Sequence, residues 1–376
     1  MAFGITEEQQ LMINIAREFA ANEVRPRAKQ VDITDERPLD LFARAAELGL
    51  RGILIPEEWG GLGAGLLTQA MISETLAQEG YIGASLVNNL MATPILKVGT
   101  QKQKEKYLQR LASGEISMGF GFTEASAGSD AANIETTAVK DGDTWVLNGT
   151  KIFISMINAD AFLVSAKTNE TAPGGISSFI VEKDFPGFSI GGHYKKIGMH
   201  GSDTADLYLK NCRVPAENMM GVENKGLHVV LSALDIGRMN IASAALGLAE
   251  GAYERAVAYA RQRVQFGKPI AHFQVIQHYA ADMLKDIELV KAMIYRTASR
   301  YDAGESISRE SAICKLAATE MACRVTDRAV QICGGYGLTE DGGIERYFRD
   351  ARVLPIVEGT NEIQKMIIAR TIFPKK

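Results

Sequence analysis

Apolar positions in the first third of the chain recur at helical spacing. Thr6-Glu7-Glu8-Gln9 has the form of a capping box, and Leu11, Ile15 and Phe19 follow it on one stripe. A second helix begins after Pro38, carries Leu41, Ala45 and Leu48, and stops at Gly49. Ile53-Leu54-Ile55 is a short apolar piece before a glycine-rich loop over 59–65. Helical spacing returns over 66–78, 84–97 and 101–111.

The texture changes near Met118. Turn dipeptides Asp141-Gly142 and Asn148-Gly149 separate short runs over 135–140, 144–148 and 151–155, and further runs cover 161–166, 177–182 and 205–209. Short strands with tight turns predict an antiparallel β domain of about a hundred residues. Long helical patterns resume at Gly226, over 226–263, 271–304 and 308–333, with shorter ones over 343–350 and after Thr360. Helices this long can bury their stripes only against one another, so they predict a bundle. The chain therefore reads as α+β in three parts: a helical domain over 1–117, a β-barrel or sandwich over 118–225, and a helical bundle over 226–376.

Composition narrows the function classes. The 376 residues carry a net charge of −4, which argues against a nucleic-acid partner. Cys212, Cys314, Cys323 and Cys333 show no CxxC spacing, so neither a zinc site nor a disulfide framework follows, and a reducing cytoplasm is expected. The first residues lack a basic, then apolar, leader, and no apolar run approaches the roughly 18 residues of a spanning helix. Gly61-Leu62-Gly63-Ala64-Gly65 fails the dinucleotide fingerprint because Leu66 stands where it needs Gly or Ala. No GxxxxGK[ST] segment occurs, and the five histidines are scattered away from metal spacings, so no metal is expected. Met12, Met71, Met283 and Met293 read as core fillers.

The segment Val357-Glu358-Gly359-Thr360-Asn361-Glu362-Ile363-Gln364 carries the most chemistry. A carboxylate stands before a glycine and a potential capping threonine, where a ligand can approach closely and backbone N–H groups can hold it. An ordinary helix entry reads the same way. Two distant segments sharpen the choice. One is Gly121-Phe122-Thr123-Glu124-Ala125-Ser126-Ala127-Gly128-Ser129-Asp130. The other is Gln331-Ile332-Cys333-Gly334-Gly335-Tyr336-Gly337-Leu338, continuing through Asp341, Arg346 and Asp350.

Together these segments resemble the acyl-CoA dehydrogenase family, flavoproteins that oxidise acyl-CoA thioesters between Cα and Cβ, and the resemblance runs from Thr6 to the C-terminus. It implies the same α, β, α architecture, FAD as cofactor, and a role in fatty-acid β-oxidation with electrons passed to an electron-transferring flavoprotein. It implies Glu358 as the base. Some members carry the base instead at the position of Gly237, in Leu234-Asp235-Ile236-Gly237-Arg238, and glycine there leaves Glu358 alone. Desaturation removes a proton from Cα and a hydride from Cβ, and no side chain accepts hydride, so a redox cofactor is required.

By the same resemblance, Phe120, Phe122, Thr123, Gly128 and Ser129 lie along the flavin ring and pyrophosphate. Gly128-Ser129 also reads as a plain turn. Phe153 and Ser155 match an aromatic-x-hydroxyl pair against the ring; Phe153 alone reads as strand core. Arg263, Phe266 and Gln274 match a loop that reaches the FAD of a neighbouring subunit, and Arg263 suits a pyrophosphate or, more simply, a helix C-terminus. Gln331, Ile332, Gly334 and Gly335 would supply backbone along the adenosine. Thr360 and Glu362 fall on the cofactor side of the last helix. Ser129, Asp235, Arg238 and Gly359 match positions that hold the acyl-CoA, although Asp235 and Arg238 also read as an i,i+3 surface ion pair. One cofactor held by two chains implies a homo-oligomer, usually a dimer of dimers. The chain departs from the family at Ala125, where proline is common, and at Met156-Ile157, where Asn-Gly is common. Reduction of an enoyl-CoA by the same residues, an oxygen-using oxidase and a non-catalytic homologue are the competing readings. Residues 86–94 and 234–243 are expected to wall the acyl pocket.

Overall fold

The computed structural model describes residues 5–86, 90–169 and 175–374. The N-terminal part is helical: α1 (Glu7–Phe19), α2 (Arg25–Thr34), α3 (Leu39–Glu47), α4 (Gly65–Ala77), α5 (Ala92–Val98) and α6 (Gln101–Ala112). The capping box at Thr6 is formed in full. The buried stripe of α1, however, is Ile13, Ala16 and Phe19, while Leu11 is 60% exposed. A π-helical turn at Ala20–Val24 shifts the phase into α2, which carries few apolar residues and went unread in the sequence. The helix expected over 84–97 is shorter: a 3-10 turn occupies Ile82–Leu86, α5 begins at Ala92, and 87–89 fall outside the described residues.

Helix α4 is the keel of this part, buried from Leu66 to Ala77. Its N-terminus has no side-chain cap of its own. The Asp302 carboxylate supplies one from a distance, accepting from the amides of Leu66 at 2.6 Å and Leu67 at 3.0 Å.

The central part is one sheet with strand order β6-β7-β3-β2-β4-β5-β8, and with β1 added on β4. The strands are β1 (Met118–Gly121), β2 (Thr137–Asp141), β3 (Thr144–Ser155), β4 (Ala161–Lys167), β5 (Ile176–Glu182), β6 (Phe188–Ile190), β7 (Thr204–Pro215) and β8 (Met219–Met220). Pairing is antiparallel except at β1–β4 and at the single β2–β4 contact. Asn148-Gly149 is not a hairpin turn: β3 runs straight through it. The register against β7 slips there, and a Cβ at Gly149 would lie 2.3 Å from Thr136 Oγ1, so the glycine serves a bulge and a close approach.

The C-terminal bundle contains α7 (Gly226–Gln262), α8 (Gln274–Asp302), α9 (Ser308–Cys333), α10 (Glu345–Val353) and α11 (Asn361–Ile372). A small hairpin, β9 (Val264–Gln265) with β10 (Lys268–Pro269), delays the start of α8 to Gln274. Contrary to the sequence expectation, α7 is long and apolar enough to cross a membrane by composition, but 82% of that window is buried in the fold. Helices α4, α7, α8 and α9 share one continuous core with α1 and α2.

Candidate active site

The loop between α10 and α11 carries the carboxylate. Thr360 caps α11, its hydroxyl accepting from Ile363 N at 3.3 Å, so the triplet is indeed a helix entry. It is also more than that. Glu358 has φ +53° and Gly359 φ +85°, two consecutive left-handed residues. They turn the Glu358 side chain onto α7 at Gly237, about three turns in from its N-terminus. A Cβ at Gly237 would lie 2.5 Å from Glu358 Oε2 and 3.4 Å from Leu90 Cδ2. Oε2 is fully buried and has no hydrogen-bond partner among the described residues. Burial pushes this carboxyl up from the usual glutamate range, against the pull of the Arg238 guanidinium and the Lys315 ammonium. A carboxylate made more basic by dry surroundings, with a free oxygen, is equipped to take a proton.

Arg238 and Asp235 form the i,i+3 pair at 2.7 Å, yet they are not on the surface: Arg238 is 5% exposed. Asp235 also accepts from Ser311 Oγ at 3.1 Å, which ties α7 to α9. Arg238 thus contributes positive charge near Glu358, and burial holds its own basicity below normal.

The end of β1 and the outer half of β3 gather the expected ring-binding residues. Phe120 and Phe122 stack in parallel with centroids 5.8 Å apart. Ile152 N donates to Thr123 O at 2.8 Å, which lays that segment along β3. The register of β3 slips again between Lys151 and Ile154, and Phe153 adopts φ +56° there. This bulge turns the ring out of the strand: it is 59% exposed and leans on Tyr194 at 4.8 Å, so it is not core. The Ser155 hydroxyl lies 3.3 Å from that of Thr204. Gly128 and Ser129 are exposed in the loop beyond, where a Cβ at Gly128 would meet nothing within 4 Å.

The remaining residues sit elsewhere. Arg263 ends α7, 26 residues beyond Gly237, or about 39 Å of helix at 1.5 Å per residue. Phe266, at the tip of the β9–β10 hairpin, is 93% exposed, and Gln274 is exposed nearby. Gln331, Gly334 and Gly335 are exposed at the end of α9, whereas the Ile332 side chain is buried in the core, leaving only its backbone for a ligand. A groove lined by Ala260, Ala271, Ile276 and Ile332 joins the two groups. The expected site residues therefore fall in two groups, one beside Gly237 and one at the C-terminal end of α7.

Sequence profiles describing the acyl-CoA dehydrogenase N-terminal, middle and C-terminal domains match residues 6–115, 119–212 and 224–373. The chain belongs to the acyl-CoA dehydrogenase family. It is 43% identical over its whole length to the acryloyl-CoA reductase (NADH) of Anaerotignum propionicum, covering 97% of that protein. It is 37% identical to the CarC subunit of the caffeyl-CoA reductase-Etf complex of Acetobacterium woodii, over 98% of this chain and 99% of that one. An acyl-CoA dehydrogenase of Bacillus anthracis solved in complex with FAD superposes with a TM-score of 0.92 at 33% identity, over 99% of this chain and 69% of that one. As a member, the protein is an FAD-dependent oxidoreductase of acyl-CoA thioesters.

The residues present fit FAD. An outward aromatic ring at Phe153 and the hydroxyls of Thr123 and Ser155 lie at the end of β1 and β3, and the loop that follows carries an open glycine at 128. Bound FAD supplies the acceptor for the hydride that leaves Cβ.

Sequence reading missed four supporting side chains. Lys151, fully buried, bonds to the Glu124 carboxylate at 2.5 Å, and Glu124 also accepts from Thr136 Oγ1 at 2.6 Å, which fastens the loop after β1. Gln364 donates to Gly359 O at 2.8 Å and to Glu358 O at 3.3 Å. Lys315 is buried on α9. The available signal for it was a lone lysine on the face of Ala312, Cys314, Ala318 and Ala322.

Proposed function

We propose that Glu358 removes the α-proton of a short acyl-CoA thioester while Cβ faces the flavin, giving the trans-2-enoyl-CoA. The supporting observation is the unpaired, buried Glu358 Oε2 against Gly237, with no other carboxylate at the alternative position. Gly359, Asp235, Arg238 and Ser129 are assigned to the acyl-CoA. The half-site at Arg263, Phe266, Gln274 and Gln331–Gly335, far along α7 from Glu358, is assigned to the FAD of a second chain. That assignment makes the protein a homo-oligomer, a dimer of dimers, and the 93% exposed Phe266 supports it. Of the expected pocket walls, Leu90 stands beside Glu358, while 87–89 lie outside the described residues. Electrons pass to an electron-transferring flavoprotein, as the name of the caffeyl-CoA reductase relative suggests. On this reading the reaction belongs to fatty-acid oxidation in the cytoplasm.

The reverse direction is a second reading, favoured by two relatives named as reductases. Glu358→Gln tests the base: anaerobic bleaching of the flavin by butyryl-CoA should fall by several orders of magnitude while FAD stays bound. Normal bleaching by that variant refutes the assignment. The rate of acyl-CoA oxidation set against that of crotonyl-CoA reduction, with the reduced partner flavoprotein as donor, decides the direction.

A further inference from the structure

The Lys315 side chain is wholly buried, and its ammonium meets no carboxylate directly among the described residues. It donates instead to three neutral acceptors: Pro355 O at 3.1 Å, Gly359 O at 2.9 Å and Asn361 Oδ1 at 3.0 Å. These acceptors bracket Glu358, two on its C-terminal side and one on its N-terminal side. The loop closes on itself as well, because Asn361 N donates to Pro355 O at 2.9 Å. Asn361 Oδ1 is in turn fixed by Thr319 Oγ1 at 3.0 Å, one turn further along α9. An ammonium has three protons, and here all three are spent on the neck of one short loop. A buried cation with no carboxylate in direct contact is costly, and here neutral acceptors and the more distant Glu358 and Glu362 offset that cost.

We infer that Lys315 is a positioning residue for the dehydrogenation. It holds the 355–361 loop in the left-handed turn that aims Glu358 at the substrate, and it lends the base a compensating positive charge. The inference rests on Glu358 being the base. Other charges face the same carboxyl: Arg238 from α7 acts on it directly, and Glu362 on α11 acts on Lys315. Burial pulls the Lys315 ammonium down to about 8, and the two glutamates oppose that pull. A simple structural role would fix the loop and leave the basicity of Glu358 unaltered. A positioning role with charge changes both the rate and the pH at which the base loses its proton.

The test is anaerobic bleaching of the FAD-loaded enzyme by butyryl-CoA, from about pH 5.5 to about pH 9, for wild type, Lys315→Met and Asn361→Leu. Lys315→Met should retain flavin and bind the thioester, yet bleach about 100-fold more slowly, the scale of a misplacement near 1 Å. Its acid limb should also move up by about one pH unit, since a neighbouring cation favours the carboxylate. Asn361→Leu removes an acceptor but keeps the charge, so it should slow bleaching with little movement of that limb. A folded Lys315→Met with wild-type rate and limb overturns the inference, and so does a slow variant whose limb stays in place. If Lys315→Met does not fold, wild-type bleaching by Asn361→Leu overturns it. Glu358→Gln run alongside keeps the two readings apart: if that variant still bleaches, the base assignment has failed, whatever Lys315 does.

Discussion

Glu358 and Gly237 are in such close contact that residue 237 has no room for a side chain: its Cβ would lie 2.5 Å from the carboxyl oxygen Oε2. The absence of that one carbon is what lets a carboxylate from the last loop lie against the side of α7. Gly237→Ala should therefore displace the base without touching the cofactor. The expected result is about a 100-fold slower flavin bleaching by butyryl-CoA with unchanged FAD content, measured by stopped-flow absorbance.

Arg263 caps the far end of α7 and is exposed; the proposed assignment gives it the pyrophosphate of a second chain's FAD. Loss of a charge-assisted contact weakens binding by roughly 1.5–3 kcal/mol, about ten- to a hundredfold. Arg263→Ala should lose flavin on dialysis while its circular dichroism stays that of wild type. Full flavin occupancy afterwards would argue against the interchain contact.

Lys151 and Glu124 are a buried pair. Burial pulls the lysine down to about 8, and burial alone would push the carboxyl up, but Lys151 and the surrounding hydrogen bonds keep Glu124 below its usual range. Lys151→Met leaves a buried carboxylate without its cation, which costs about 3–5 kcal/mol. Urea unfolding should report that loss, and the Phe122–Thr136 segment should gain amide exchange ahead of the rest.

Glu74 on α4 and Glu250 on α7 share the Lys291 ammonium of α8, at 3.1 and 2.5 Å, and Tyr295 donates to Glu74 at 2.7 Å. Burial, then the neighbouring Glu250, raises the Glu74 carboxyl well above the usual range. The folded state thus keeps a proton that the unfolded chain releases above roughly pH 4.3. The stabilisation is complete below that pH and is lost as the pH rises through the elevated folded value. Between about pH 5 and about pH 9, the melting temperature of wild type should fall more than that of Glu74→Gln. Equal slopes in calorimetry would show that Glu74 is already ionised at neutral pH.

The helix–sheet–helix order and the bundle were legible in the chain, and so was the carboxylate proposed as the base. Periodicity of 3.6 and 2 survives wherever one face of an element is buried, and the Glu358 and Gly121–Asp130 segments keep local patterns of their own. Reading failed where local signals had two meanings. Asn148-Gly149 carries the composition of a hairpin turn, but pairing with β7 on one side and contact with Thr136 on the other made it a bulge. Leu11 and Phe19 lie about 80° apart around a regular helix, and the narrow buried face runs through Ile13, Ala16 and Phe19, leaving Leu11 outside it.

What the linear chain determined was which groups exist and how far apart they lie along it: one carboxylate before Gly359, one glycine at 237, a lysine among small residues on α9. Only the folded structure decided that these three, drawn from one loop and two helices, come together around a buried carboxyl. Periodicity reports which face of an element is buried, but not what lies across from it. The burial and the flanking charges that shift the Glu358 carboxyl arise from those neighbours.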